Sequence, residues 1–173
     1  ILNICKETKC ELKTLPGVFQ LANGQVSLSK MKAVAVEDLL GRDPIKVNMD
    51  EIFQYIKGKT ILVTGGGGSI GSELCRQIVQ ERPRQLVLLD HNEFGLYAIH
   101  QELSILCTQQ GLAIELLPKL ASIRNLRRVR AVFTKYQPQS VFHAAAYKHV
   151  PLVQSNPSEG VLNNLFGTLN TAR

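Results

Sequence analysis

From Gly58 onward, short apolar runs alternate with longer segments of helical periodicity. Thr60-Ile61-Leu62-Val63-Thr64 is apolar and β-branched at consecutive positions, which predicts a strand covered on both faces. Residues from Ser69 to about Gln80 place Ile70, Leu74 and Ile78 on one helical face. Leu86-Val87-Leu88-Leu89 predicts a second strand ending at Asp90, and Asn92 opens a helix carrying Leu96, Ile99, Leu103 and Leu106. A third strand is expected over 113–117, a third helix around Leu126, Val129, Val132 and Phe133, and a fourth strand over 140–145. Asn156-Pro157-Ser158-Glu159 announces a last helix with a capping-box pattern and proline at its first position. Strands and helices alternating over short connections imply an α/β fold, a doubly wound parallel sheet of Rossmann type.

Residues 1–57 are patterned more weakly. Lys13-Thr14-Leu15-Pro16-Gly17 reads as a short strand ending in a turn, and Asn23-Gly24 as a hairpin turn. Glu37-Asp38-Leu39-Leu40-Gly41-Arg42 looks like a helical turn stopped by glycine, and Asp50 caps a short helix reaching Tyr55. The expected organisation is a lead-in over 1–57, then the front half of a Rossmann domain over 58–173, incomplete at its C-terminus.

Composition narrows the function classes. With 45% hydrophobic and 20% charged residues, the chain has material for a core and does not read as disordered. A net charge of +6 suits an anionic partner. Only Arg124, Arg127, Arg128 and Arg130 cluster, at the spacing of a solvated helix face, so a nucleic-acid partner is not expected. Cys5, Cys10, Cys75 and Cys107 have no zinc-ligand spacing, and His91, His100, His143 and His149 form no local cluster, so no metal site is expected. No run approaches bilayer length and no signal peptide is recognisable; reduced thiols suit a cytoplasmic protein.

The chemistry concentrates in Thr64-Gly65-Gly66-Gly67-Gly68-Ser69-Ile70-Gly71, between the first strand and first helix. Gly65 permits the tight turn, Gly68 lets backbone approach a pyrophosphate, and Gly71 lets the helix pack against the sheet. The helix start then offers free N–H groups and partial positive charge to phosphates. Asp90 sits where an acid accepts hydrogen bonds from ribose hydroxyls, and no Arg follows it, which favours NAD over NADP.

Three segments carry a family resemblance: the glycine loop, His143-Ala144-Ala145-Ala146-Tyr147-Lys148-His149-Val150-Pro151, and Asn163-Asn164-Leu165-Phe166-Gly167-Thr168-Leu169-Asn170. Together they resemble the extended short-chain dehydrogenase/reductases, in the branch of nucleotide-sugar 4,6-dehydratases and epimerases of bacterial polysaccharide biosynthesis. The resemblance implies that Gly65, Gly68, Ser69, Ile70, Gly71, Asp90, Ser122, Ile123, Ala144 and Ala145 hold NAD or NADP. It implies that Lys148, His149 and Asn164 serve a nucleotide-diphospho-sugar, with Asn164 fixing local backbone. Where the family has Gly-Asp after the third strand, Ala121-Ser122-Ile123 stands here, which weakens the expected hold on adenine. The family's Tyr-or-Met-x-x-x-Lys pair is not found, so no catalytic residue is assigned and this chain alone is expected to be inactive. Full-length members of this branch are membrane-anchored, which implies the cytoplasmic face of a membrane; a homo-oligomer stays open. The alternatives are an epimerase or reductase on the same scaffold, or a non-catalytic dinucleotide-binding module.

Overall fold

The computed structural model describes residues 13–14, 32–33 and 54–173. Contacts divide the chain into two units, Ile1–Val47 and Asn48–Arg173. In the first, β1 (Lys13–Thr14) pairs antiparallel with β2 (Lys32–Ala33), so the strand expected at Lys13 is present. The expectations at Asn23-Gly24, at 37–42 and for Asp50 lie outside the described residues; residues 54–56 are helical.

The second unit is a parallel sheet. Its strands are β3 (Thr60–Thr64), β4 (Gln85–Asp90), β5 (Glu115–Leu120) and β6 (Ser140–His143), ordered β5-β4-β3-β6. The helices between them are α1 (Ser69–Gln80), α2 (Glu93–Gln110) and α3 (Leu126–Tyr136). After α4 (Val150–Ser155) come α5 (Pro157–Gly160), a π-helical stretch Val161–Gly167 and α6 (Thr168–Ala172), end to end.

Side-chain alternation in β3 and β4 builds a core on each face of the sheet. Ile61, Val63, Leu86 and Leu88 pack with Cys75, Ile78 and Val79 of α1 and with Leu96, Ile99, Leu103 and Cys107 of α2. Leu62, Val87 and Leu89 point the other way, onto Ile123 and Val132. Both central strands are therefore sealed on both sides, as their unbroken apolar runs require.

Several local expectations shift. Strand β5 spans 115–120, not 113–117, and contains Pro118. Proline fits there because β5 is an edge strand, where one missing N–H need not break a ladder. Strand β6 stops at His143, short of Ala145, although Ala144 N still donates to Thr64 O at 3.0 Å. Ile70, expected on the buried face of α1, is 60% exposed, because the first turn of α1 overhangs a cavity described below. In α2 the deeply buried residue near the C-terminus is Cys107, with Leu106 only partly covered. The capping box at 156–159 does not form. Asn156 Nδ2 turns back to donate to Leu152 O at 3.0 Å, and Glu159 pairs with Arg124. The preceding helix α4, with a proline in its first turn, was not expected.

Burial also sets thiol chemistry. Cys75 is fully covered, and desolvation pushes its thiol up to about 12. Because the thiolate is the reactive form, Cys75 is expected to resist alkylation by iodoacetamide at mildly alkaline pH until the chain is unfolded. Peptide mass spectrometry after labelling reads this directly, and rapid native labelling of Cys75 would contradict the packing.

Candidate functional site

From β3 the chain runs outward through β4 to β5, then returns to place β6 on the other side of β3. Such a reversal of strand order leaves a crevice beyond the carboxyl ends of the two diverging strands. One rim is the glycine loop after β3, and the other is Ala144 to Tyr147 after β6.

The rims touch through bare backbone. Gly65 has φ +70°, and a Cβ there would lie 2.6 Å from Ala144 O. A Cβ at Gly71 would lie 1.9 Å from Gly65 O. Gly71 therefore lets α1 press on the loop, not on the sheet as the sequence reading had it. A third close approach escaped that reading: a Cβ at Gly67 would lie 2.7 Å from Gly95 C, in the first turn of α2. The available signal was an isolated glycine inside a helical pattern. Gly68 differs, since a Cβ there meets only Gly65 O, at 3.3 Å.

Asp90 closes β4 and is 6% exposed. Its Oδ2 accepts from Gly67 N at 2.9 Å, and its Oδ1 accepts from Asn92 N at 2.8 Å. The carboxylate thus pins the glycine loop to the start of α2, where Asn92 Oδ1 caps the helix by accepting from Gly95 N at 3.1 Å.

Between the rims lies a cavity of about 190 Å³, lined by Gly65, Gly68, Asp90, Ile123, Ala144 and Ala145 among others. A wider cavity of about 900 Å³ adjoins it, sharing Gly68, Asn92, Ala144, Ala146 and Tyr147, and adding Ser69, Ile70, Lys148 and His149. Gly71, Ser122 and Asn164 line neither. The Ser122 hydroxyl accepts from Arg124 N at 3.2 Å. Asn164 holds Tyr147 by both backbone groups: Oδ1 accepts from Tyr147 N at 2.8 Å and Nδ2 donates to Tyr147 O at 2.9 Å. Its neighbour Asn163, which the sequence reading passed over, is 3% exposed and donates from Nδ2 to Ala145 O at 2.9 Å. Two adjacent asparagines in an otherwise apolar run were the signal.

At the end of β6, His143 Nδ1 lies 2.7 Å from Thr64 Oγ1 and Nε2 lies 3.0 Å from Thr168 Oγ1. His143 is exposed and lines the wider cavity, and the desolvation it undergoes there holds its imidazole below the ordinary value. Among the described residues, no three His, Cys, Asp or Glu side chains gather as metal ligands, and no helix is long and apolar enough to cross a membrane.

Residues 61–173 match the family described as polysaccharide biosynthesis protein. The chain is 45% identical over 99% of its length to the capsular polysaccharide biosynthesis protein CapD of Staphylococcus aureus, and 41% identical over 97% to the probable polysaccharide biosynthesis protein EpsC of Bacillus subtilis. It spans 28% of each of those relatives. A UDP-N-acetylglucosamine 4,6-dehydratase (inverting) of Campylobacter jejuni is 26% identical over 65% of this chain and 31% of its own length. Among solved structures, a UDP-glucose-4-epimerase from Stenotrophomonas maltophila with bound NAD superimposes with a TM-score of 0.53, at 26% identity, over 66% of this chain and 32% of that one. The parallel sheet is a Rossmann-type α/β fold that matches the folds of solved nucleotide-sugar epimerases. The chain belongs to the polysaccharide biosynthesis protein family.

Two outcomes follow from this geometry. Asp90→Asn puts an NH2 group against one of two backbone donors and leaves that donor unsatisfied, at a cost of about 1–3 kcal/mol in denaturant unfolding; an unchanged midpoint would show that the loop does not rely on the carboxylate. For His143 the folded value is depressed below the ordinary 6.5, so its contribution to stability is complete above that value and is lost as pH falls through the lower folded one. Between about pH 7 and about pH 5, the thermal midpoint of the wild type is expected to fall more steeply than that of His143→Gln.

Proposed function

We propose that the two cavities together hold a nicotinamide dinucleotide, NAD in preference to NADP, and that the chain is the cofactor-binding portion of a nucleotide-sugar 4,6-dehydratase of polysaccharide biosynthesis. The observation that carries this reading is Gly68, the N-cap of the twelve-residue helix α1, facing the cavity with no side-chain cap and no acid in the first turn. Free N–H groups and the positive end of the helix dipole there suit a pyrophosphate. The space that a Cβ at Gly68 would take is the space through which backbone reaches phosphate oxygen.

The other residues fit the same ligand. Each Asp90 oxygen is engaged by one N–H and keeps a further lone pair for a ribose hydroxyl. Ala144 and Ala145 form a floor of small side chains, and Ile123 offers an apolar wall to the adenine, with Ser122 beside it. Ser69 and Ile70 lead from the phosphates into the wider cavity. Lys148 and His149 line that cavity, where a cation offsets the charge of a nucleotide diphosphate. When bound, the dinucleotide supplies reversible hydride acceptance; the residues described here bind and orient. The likeness to an epimerase structure favours epimerisation as the second reading of the same scaffold.

Calorimetric titration of the chain with NAD and NADP tests the assignment. NAD is expected to bind more tightly, since a 2′-phosphate would face the Asp90 carboxylate; tighter NADP binding would reverse that choice. Gly68→Val adds a side chain whose Cβ meets one protein atom, Gly65 O, at a position lining both cavities. It is expected to weaken NAD binding by more than about tenfold with far-ultraviolet circular dichroism unchanged. Retained affinity would put the phosphates elsewhere.

A further inference from the structure

His143 stands at a junction that none of the contacts proposed above uses. Its proton can be placed from its partners. The Thr168 hydroxyl donates to Asn164 O at 2.7 Å, so toward His143 Nε2 it can only accept. Nε2 therefore carries the hydrogen, and in a neutral ring Nδ1 is left as an acceptor for the Thr64 hydroxyl. An imidazolium would instead aim an N–H at Thr64 Oγ1 and leave the hydroxyl hydrogen of Thr64, a residue 1% exposed, without that acceptor.

The bonds on either side extend this junction to both rims of the crevice. Thr64 is the residue immediately before Gly65, and its carbonyl accepts from Ala144 N at 3.0 Å. Thr168 leads into Asn164, which grips Tyr147, and Asn163 beside it grips Ala145. A connected set of hydrogen bonds thus runs from the glycine-loop rim through the imidazole to the terminal helix, and returns to the opposite rim. A Cβ at Gly65 would lie 2.6 Å from Ala144 O, so the two rims meet backbone to backbone at this point.

We propose that His143 is a positioning residue of the dinucleotide site: as the neutral Nε2–H tautomer it ties Thr64 to Thr168 and so fixes the separation of the two rims. The identity of the ligand rests on the preceding reading, but the tautomer and the tie do not.

The test uses the 173-residue chain as wild type, His143→Ala, His143→Gln and Thr168→Val, with NAD affinity by calorimetry and thermal midpoint measured for each. Long-range proton–nitrogen correlation spectra of the wild type report the tautomer. The expected results are an Nε2–H ring, NAD binding weakened about tenfold or more in His143→Ala, and partial recovery in His143→Gln, whose amide offers one acceptor and one donor. Thr168→Val, which removes the Nε2 partner together with the hydroxyl's bond to Asn164 O and leaves the imidazole in place, is expected to weaken binding about threefold to fivefold with the fold retained, and it decides the matter if His143→Ala does not fold. An Nδ1–H ring, or NAD affinity within about twofold of wild type in both His143→Ala and Thr168→Val, overturns the positioning role. Failure of the wild type to bind either dinucleotide overturns the cofactor reading itself, and the spectra then still report on the tie.

Discussion

Backbone meets backbone at the mouth of the sheet, and the rest of the site is arranged around that crowding. Gly65 touches the carbonyl of Ala144, Gly71 touches the carbonyl of Gly65, and Gly67 touches Gly95, each at a separation that excludes a Cβ. Dense contact of this kind brings amide groups close to a ligand, but it offers no side chains to hold the loop in place. The loop has to be held from outside. Asp90 does so from β4, and the tie through His143 acts from β6.

This division of labour gives the acid at the end of β4 two tasks. Its carboxylate fixes the loop and the start of α2, and in the proposed function it also receives a ribose. A buried carboxylate with both oxygens engaged cannot be exchanged for a neutral or cationic side chain without releasing backbone donors. Under the proposed function, dinucleotide preference is therefore easier to alter at the exposed neighbour His91 than at Asp90 itself.

What could be read in advance follows the physics of each element. The strands of Ile61 and Leu86 were legible because a strand covered on both faces must be apolar throughout, and their limits at 60–64 and 85–90 agree with the pattern. The edge strand was placed too early, because an edge tolerates Pro118 and partial exposure and so has no sharp signature. Gly65, Gly68, Asp90, Ala144 and Ala145, which the loop motif and the resemblance assign to a cofactor, line one cavity. The Gly67–Gly95 contact and the role of Asn163 were hidden because they join segments remote in sequence. The capping box failed for a related reason: Arg124, 35 positions away, takes the Glu159 side chain that local pattern assigned to a helix end.

The π-helical stretch Val161–Gly167 has a consequence for chain length. In a regular α-helix neighbouring residues diverge by about 100° around the axis, yet Asn163 and Asn164 both reach the same short segment, Ala145 to Tyr147. The wider winding makes that convergence available, as such insertions often do at functional sites. Removing a single residue between 161 and 167 would restore tighter winding, so that Asn163 and Asn164 diverge by about 100° around the axis and no longer meet on one segment. Here the number of residues is constrained as tightly as their chemistry, so this stretch should accept exchanges far more readily than gaps.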